Sequence, residues 1–528
     1  MSTVTTRTYH DIRQALLGSE ELALIDVREE DPFAQEHPLF AANIALSKLE
    51  LEVYARIPRR DTAITVYDAG EGLAAVAAER LLALGYSDVA LLEGGLEGWR
   101  SAGGELFRDV NVPSKAFGEL LESVRHTPSL AAEQVQALLD AKADVVVLDA
   151  RRFDEYQTMS IPGGISVPGA ELVLRVAELA PNPTTQVIVN CAGRTRSIIG
   201  TQSLVNAGIP NPVAALRNGT IGWTLAGQQL AHGQDRQFAA VSDATRADAA
   251  ARARKVADQA GVSRLDREAL AAWQADTGRT TYLFDVRTPE EYAKGHLPNS
   301  RSVPGGQLVQ ETDHVASVRG ARIALVDDDG ARANMSASWL AQMGWQVAVV
   351  DGLSAADFSQ AGEWQAPLPA LPQVTEIGVG QLRDWQQAPG TVVLDFTASA
   401  NYVKRHIPGA HWAIRAQLPQ ALERLPVAER YVLTCGSSLL ARFAAADLQT
   451  LTQTPVYVLE GGTARWIAAG EPVEAGETHL AAARTDRYRR PYEGTDNPRE
   501  AMQGYLDWEF GLIAQLERDG THGFRVLS

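Results

Sequence analysis

The chain has 528 residues, a hydrophobic content of 45% and a formal net charge of −17. Since domains usually span roughly 100–200 residues, this length predicts three to five of them, each with an ordinary core. The excess of acidic residues excludes a nucleic-acid-binding protein, because neutralising phosphates requires surplus Lys and Arg. A small anionic substrate held in a local basic pocket is still compatible with this charge.

The sequence carries no obvious targeting, membrane or metal-binding signal. Its first residues contain acids and no apolar run long enough for a signal peptide, and no stretch approaches a membrane span. Only two cysteines occur, Cys191 and Cys435, so no disulfide framework is expected and a reducing cytoplasm is the natural setting. The spacing of Cys and His predicts no metal site, and the absence of a Gly-rich nucleotide motif predicts no organic cofactor.

One pattern occurs four times along the chain. An apolar strand ends on an acid at Asp26, Asp149, Asp285 and Asp395. A second apolar strand, at a nearly constant distance, ends at a position that we call the marker, occupied by Asp68, Cys191, Asp327 and Cys435. Such regular self-similarity is the signature of a tandem repeat.

An Ala/Leu-rich segment with helical periodicity follows each marker. In three repeats it ends on a glycine suited to a left-handed C-terminal cap, at Gly85, Gly208 and Gly344. A third strand then leads into a Gly turn and an aromatic residue. This alternation predicts α/β units with mostly parallel sheets flanked by helices, whose functional residues lie beyond the carboxyl ends of the strands.

These patterns predict four domains and a C-terminal helical tail. The predicted boundaries are 1–127, 128–240, 241–372, 373–476 and, for the tail, 477–528. Residues 106–127 are interpreted as a polar helical connector, 233–262 as a charged helix and 366–374 as a stiff Pro-rich linker. The apolar residues of the tail helix predict that it docks on the globular body, at a place that the sequence does not indicate.

The motifs of each repeat together resemble the rhodanese domain. They are Asp-x-Arg, an HIPGA-like turn, a strand ending in Cys, a short loop opening a helix, and GG followed by Trp. The HIPGA turn is intact at 406–410, altered at 295–300 and 160–164, and lost from the first repeat. Bacterial proteins with several such domains are described as thiosulfate sulfurtransferases, so the resemblance implies this activity.

In two-domain members of the family, the first domain typically carries Asp at the marker and is inactive. The order Asp68, Cys191, Asp327, Cys435 therefore resembles two inactive–active pairs in series, with domain 2 catalytic. The expected reaction moves a sulfane sulfur from thiosulfate or a persulfide donor to cyanide or a thiol acceptor, through a persulfide on Cys191. Glutathione persulfide and mercaptopyruvate also remain open as donors.

The loop CAGRTRS places Cys191 where a strand enters a helix. Loop N–H groups and the helix dipole should lower the pKa of this thiol below that of a free cysteine. We expect Gly193 to permit the loop conformation and Ser197 to cap the helix. Arg194 and Arg196 are predicted to bind the donor oxygens, because guanidinium suits multi-contact anion binding. The alternative for Cys191 is a buried apolar role, which two nearby guanidinium groups would not require.

Further residues complete the predicted site. Thr195 belongs to the same loop and is included among the donor-binding residues. Asp149 and Arg151 end the neighbouring strand, and because the Asp-x-Arg turn also occurs in repeats without cysteine, its main role is expected to be fold-keeping. The Asp149 carboxylate is expected to support the pocket, and Arg151 is a further candidate for contact with the donor. Arg217 ends the third strand and is a further candidate for donor binding.

Cys435 lies in the loop CGSSLLA, which lacks arginine until Arg442. It is either a second site of different donor preference or a vestigial cysteine.

Two other functions share parts of this sequence pattern. A phosphatase of related architecture would need a loop one residue longer than the four residues that separate Cys191 from Arg196. A non-enzymatic interaction or persulfide-sensing protein would fit the three degenerate repeats but not the intact Cys191 loop.

Overall fold

A computed structural model describes residues 4–18 and 20–528. These residues form four five-stranded sheets, and in each sheet the strands lie in the order first, fifth, fourth, second, third. Neighbouring strands are parallel throughout. The fourth strand is thus central, and the marker residue follows it directly. We number the sheets and their helices as copies 1 to 4.

Copy 1 contains strands β1 to β5 and helices α1 to α6. The strands are Thr5–Arg7, Ala23–Asp26, Ala42–Asn43, Ile64–Tyr67 and Val89–Leu92. The helices are Tyr9–Gly18, Glu30–Gln35, Leu49–Arg56, Leu73–Ala83, Gly95–Ser101 and Val112–Arg125. Strands β2 and β4 are buried along their whole length, which explains why their sequences are almost continuously apolar.

Copy 2 contains strands β6 to β10 and helices α7 to α11. The strands are Ser129–Leu130, Val145–Asp149, Ile165–Ser166, Gln186–Asn190 and Val213–Leu216. The helices are Ala132–Asp140, Phe153–Thr158, Leu172–Leu179, Thr195–Asn206 and Gly219–Leu225. Gly208 follows α10 with a φ of 65°, and Gly85 and Gly344 have the same left-handed conformation. The glycine caps predicted from the repeats are therefore confirmed.

Helix α12 (Asp243–Gln259) leads into copy 3, as the charged segment at 233–262 predicted. The strands of copy 3, β11 to β15, are Ser263–Leu265, Thr281–Asp285, Arg301–Ser302, Arg322–Val326 and Gln346–Val350. Its helices, α13 to α17, are Arg267–Ala275, Pro289–Lys294, Gly305–Gln310, Thr312–Val315 and Arg332–Gln342. Ser242 caps α12 by accepting the N–H group of Thr245 at 3.2 Å.

Copy 4 contains strands β16 to β20 and helices α18 to α22. The strands are Thr375–Ile377, Thr391–Asp395, His411–Trp412, Arg430–Thr434 and Val456–Leu459. The helices are Val379–Gln386, Ser399–Lys404, Leu418–Leu422, Leu439–Leu451 and Gly462–Ala468. His406 of its HIPGA turn forms an antiparallel bridge to Glu474, and His37 forms the matching bridge to Phe107 in copy 1. The first repeat therefore retains the structural position of this turn, which its sequence had appeared to lose.

The tail forms two helices, α23 (Arg499–Phe510) and α24 (Leu512–Asp519), where the sequence predicted one. Both contact α6, and α6 also packs against α10 of copy 2. The segment interpreted as a polar connector is thus largely buried, with its core-facing residues spread over most of the helix. Helix α6 consequently joins copy 1, copy 2 and the tail into one packed region.

The copies are not independent units. Copies 1 and 3 share one hydrophobic cluster, which also takes in Leu512 and Leu516 of α24. A buried ion pair joins Arg415 of copy 4 to Glu50 of copy 1, with Nη1 2.6 Å from Oε2. Among the described residues, no helix is both long enough and apolar enough to cross a membrane.

Candidate active site around Cys191

Cys191 lies at the carboxyl end of the central strand of copy 2, between β9 and α10. The residue is buried, with 1% of its surface exposed. Its Sγ donates a hydrogen bond to Ser197 Oγ at 3.3 Å, and that hydroxyl donates to the Arg194 carbonyl oxygen at 2.9 Å. The N-cap of α10 is Arg194 rather than Ser197. Ser197 thus lies in the first turn of the helix, and the expectation that it caps the helix is wrong.

In each of the four copies at least one backbone N–H group that follows the marker is directed at the marker side chain, an arrangement that we call the loop cradle. Asp68 accepts two loop N–H groups at 3.0 and 2.9 Å, and Asp327 accepts two at 3.1 and 2.8 Å. The N–H group six residues after the marker contributes in every copy, at Ala74, Ser197, Ala333 and Ala441. The loop therefore offers hydrogen-bond donors to whichever acceptor occupies the marker position.

The Gly turn after β10, the fifth strand of the sheet, closes over the Cys191 loop. Thr220 donates its backbone N–H to the Cys191 carbonyl oxygen at 2.9 Å. Gly219 has a φ of 55°, and a Cβ atom there would lie 2.2 Å from the same oxygen. Only glycine fits this approach. The sequence shows this Gly turn as a recurring motif, but we predicted no role for it. Its recurrence after the last strand of each sheet was the available signal.

Arg196 faces a carboxylate of its own copy. Its Nη1 and Nη2 donate to the two carboxylate oxygens of Glu155 at 2.7 and 2.9 Å. Burial opposes the ionisation of Glu155, yet the Arg196 guanidinium lowers the pKa of this carboxyl to about 2. The predicted donor-binding guanidinium is therefore held in a two-point ion pair, and an anionic donor has to share it with Glu155.

Arg194 is buried and points away from the cysteine towards α6. Its Nε and Nη2 donate to the Glu119 carboxylate at 2.6 and 2.9 Å, and Nη2 also contacts Glu122. Its Nη1 donates to Asn218 Oδ1 at 3.1 Å. With these partners, the side chain fixes the loop to α6 rather than presenting free donors to a substrate.

Asp149 and Arg151 form a buried pair beside the loop. Arg151 Nε and Nη2 donate to the Asp149 carboxylate at 2.9 and 2.7 Å, and Nη2 also donates to the Met159 carbonyl oxygen at 2.6 Å. Asn190 Nδ2 donates to Asp149 at 2.9 Å. Arg28 and Arg287 make the equivalent bonds in copies 1 and 3, which lack the cysteine. This recurrence supports the expected fold-keeping role of the turn.

The other two candidates lie against neighbouring elements. Arg217 is exposed, and its Nε and Nη2 donate to Ser129 Oγ at 3.2 Å. Thr195 begins α10, and its methyl group lies 3.1 Å from the point where a Cβ atom on Gly118 of α6 would be. Donor contact by either residue stays a prediction.

The tail covers the Cys191 loop, a contact that sequence reasoning could not locate. Tyr492, Met502, Tyr505 and Leu506 pack in one apolar cluster with Ala192 of the loop and Ile221 of α11. Every loop residue from 191 to 195 is buried as a result. The cysteine is thus enclosed between its own copy and a segment from the far end of the chain.

Gly193 lies close to the tail. A Cβ atom on this glycine would lie 3.0 Å from Tyr505 Cε1 and 3.4 Å from Glu509 Oε2. Its φ is outside the left-handed region, where the glycines of the Gly turn are found. We expected Gly193 to supply backbone freedom, whereas the structure requires its lack of a side chain.

Burial raises the pKa of the Cys191 thiol, and the Glu509 carboxyl acts in the same direction. The Arg196 guanidinium and the Ser197 hydrogen bonds lower it without cancelling the effect of burial. The prediction of a pKa below that of a free cysteine is therefore wrong for this covered site. It considered the loop N–H groups but not the desolvation that accompanies burial of the thiol.

A polar cavity of about 810 Å³ adjoins the site. Arg151, Arg196 and Tyr492 form its wall on the side of Cys191, and acidic and basic side chains from several copies line the rest. Arg196 lines this cavity and also acts electrostatically on the Cys191 thiol. No group of three or more His, Cys, Asp or Glu suited to a metal ion occurs among residues 4–18 and 20–528.

The Cys435 loop has the same cradle as the Cys191 loop, but its surroundings differ. Burial raises the pKa of Cys435, while N–H groups of Ala441, Ser437 and Leu440 lower it. Gly436 and Ser437, the two residues after the cysteine, are exposed. Both cysteines are free thiols.

The fold and the loop define a class of α/β domain repeated four times. A family model described as Rhodanese-like domain matches residues 10–102, 131–226, 266–353 and 379–469, one match for each copy. The chain therefore belongs to the rhodanese-like family, as the sequence motifs predicted. The tail lies outside these matches.

Two relatives refine this assignment. The chain is 77% identical to a thiosulfate sulfurtransferase of Pseudomonas aeruginosa known from a crystal structure, over 99% of this chain and 100% of that one, with a TM-score of 0.99. It is 24% identical over 140 residues to the putative sulfur carrier protein YrkF of Bacillus subtilis, which covers 24% of this chain and 72% of that protein. The first of these supports the predicted sulfurtransferase activity and confirms the predicted fold class.

Proposed function

We propose that this protein is a thiosulfate sulfurtransferase that carries sulfur on Cys191. The observation that carries the proposal is the placement of the Cys191 thiol at the marker of copy 2, where the Ser197 backbone N–H and the Arg196 guanidinium favour its thiolate. In copies 1 and 3 the cradle holds aspartate oxygens at the marker, and aspartate cannot accept a sulfane sulfur. The identity with a thiosulfate sulfurtransferase supports the class of donor.

The reaction is a double displacement. The Cys191 thiolate attacks the outer sulfur of thiosulfate, the S–S bond of the donor breaks, and sulfite leaves with the bonding electron pair. An acceptor such as cyanide or a thiolate then attacks the outer sulfur of the Cys191 persulfide, and the cysteine thiolate departs. No general base takes part once the thiolate has formed, because it is itself the nucleophile.

The residues around Cys191 each contribute to a step of this reaction. The cradle N–H groups stabilise the thiolate and then the persulfide anion, because both place negative charge at the marker. Arg196, which lines the cavity and acts on the thiol, attracts the anionic donor in competition with Glu155. Because Cys191 is 1% exposed, surrounding side chains have to move before the donor reaches it.

Copies 1 and 3 act as scaffolds in this proposal, and a reducing cytoplasm is the setting that fits two free thiols. We place the main site at Cys191 and not at Cys435, because the Cys435 loop contains no arginine. The first arginine that follows this loop, Arg442, contacts Glu376.

Mass spectrometry of the protein after incubation with thiosulfate tests the proposal. We expect one added sulfur atom on the peptide containing Cys191 and little on the peptide containing Cys435. The Cys435→Ser variant is the matched control and should load to the same extent. Equal loading of both cysteines would establish two working sites, and no loading of Cys191 would overturn the proposal.

A further inference from the structure

We propose that Glu509, on helix α23 of the tail, sets the charge of the Cys191 site. Its carboxyl group admits an anionic sulfur donor while it carries its proton, and repels the donor once the proton is lost. The inference rests on the proposed sulfur transfer at Cys191 and adds a specificity-determining residue from outside the family pattern.

The geometry directs this carboxyl at the cysteine loop. Glu509 is fully buried, and Tyr505 donates its hydroxyl to Oε1 at 2.8 Å. Its Oε2 is buried without a hydrogen-bond partner among the described residues. The same oxygen lies 3.4 Å from the point where a Cβ atom on Gly193 would be, so it faces the middle of the loop. A buried oxygen left without a partner is uncommon and indicates a group available to a ligand or to solvent that enters the site.

The cations near Glu509 already have their own carboxylates. Lys115 Nζ lies 2.6 Å from Asp109 Oδ1, and Arg194 Nε lies 2.6 Å from Glu119 Oε1. The titratable groups that act on Glu509 or face it come from α6, the segment before it, the loop and the tail: Lys115, Glu119, Asp109, Cys191, Arg194, Tyr492 and Tyr505. An ionised Glu509 would thus be a buried negative charge without a cation of its own.

Burial and the neighbouring Glu119 raise the pKa of Glu509 to about 8, against the opposing effects of Lys115 and Arg194. The carboxyl is therefore protonated and neutral at pH 7. Above pH 8 it becomes a carboxylate beside the thiol, where it disfavours both the Cys191 thiolate and a doubly charged donor. A neutral sulfur acceptor is not affected in the same way.

The experiment compares the intact protein with Glu509→Gln, which reproduces the shape of the protonated carboxyl and cannot ionise. The KM for thiosulfate and kcat are measured between about pH 6.5 and 9.5 at a saturating acceptor concentration. Comparing variants at each pH removes the effect of acceptor ionisation. For the unchanged protein we expect the KM to rise about tenfold more than in Glu509→Gln as the pH passes 8, with kcat less affected. Glu500→Gln, an exposed change on the same helix, is the matched control.

A second readout does not depend on sulfur transfer. The rate at which iodoacetamide alkylates Cys191 is followed over the same pH range, and Glu509→Gln should shift the apparent pKa of the thiol downward. If the unchanged protein is alkylated but transfers no sulfur, the proposed function fails while the electrostatic role of Glu509 can still be read. If sulfur transfer proceeds and the two variants share one pH profile in both measurements, the role proposed for Glu509 is overturned.

Discussion

The loop of Cys191 in copy 2 and the loop of Cys435 in copy 4 follow the central strands of their sheets and receive an N–H group from the same relative position. They differ in their surroundings. The first lies under Tyr505 and Glu509 of the tail, whereas the second is followed by two exposed residues. The repeat therefore determines where a sulfur atom lies, and elements outside the repeat determine which molecules reach it and in what charge state.

The largest expected effect separates the two cysteines. Cys191→Ser should lower thiosulfate:cyanide sulfur transfer by about a thousandfold or more, because the sulfur nucleophile is lost while the hydroxyl keeps the size of the side chain. Cys435→Ser should leave the activity nearly unchanged. Steady-state kinetics on both variants provides the measurement, and circular dichroism verifies the fold. A large loss in Cys435→Ser would remove the distinction between the loops.

The second effect concerns the Arg196 guanidinium of the Cys191 loop, which has no counterpart in the Cys435 loop. Arg196→Ala should lower kcat/KM for thiosulfate about ten- to a hundredfold, since a charged hydrogen bond contributes about 1.5–3 kcal/mol. It should also destabilise the protein by about 1–3 kcal/mol, because the partly buried Glu155 carboxylate loses its two-point ion pair. Kinetics and thermal unfolding measure the two losses.

Adding Glu155→Gln to Arg196→Ala distinguishes the two losses. The double variant should regain stability, because the unpaired carboxylate is gone, and should not regain the use of thiosulfate. Full recovery of kcat/KM would mean that Arg196 serves only to neutralise Glu155.

The smallest effect is a matched pair of glycine substitutions. Gly193→Ala places a Cβ atom 3.0 Å from Tyr505, so the tail must shift slightly, at a cost of about 1 kcal/mol. The rate of Cys191 alkylation should rise about fivefold as the cover opens more often. Gly436→Ala meets nothing within 4 Å and should not change the alkylation of Cys435. Equal responses of the two loops would mean that the tail does not restrict access.

The sequence was sufficient to predict the four sheets, because strands, cap glycines and the marker follow local patterns that recur at fixed intervals. It was also sufficient to place Cys191 at a strand end. It did not predict that Arg194 and Arg196 are occupied, because their partners Glu119 and Glu155 lie on other helices. The pairing of Arg196 with Glu155 does have a repeated signal, since Arg332 pairs with Glu291 at the equivalent positions of copy 3. The contact of Glu509 with Gly193 depends on the docking of the tail, which spacing does not encode.

The same distinction explains the error about the Cys191 pKa. The loop N–H groups, which the sequence indicates, do lower it. Desolvation by burial of the thiol, which the sequence does not indicate, outweighs them. A motif alone therefore predicts whether a neighbouring group raises or lowers the pKa of the thiol, but not which effect is larger.

The packing of the tail over Cys191 also affects when the site is enclosed during synthesis. A ribosome makes copy 2 well before helix α23, and domains fold as they emerge. During this interval the cover that Tyr505 and Glu509 provide over Gly193 is absent. The enclosure of the Cys191 loop is therefore completed only after the tail has been made and has docked.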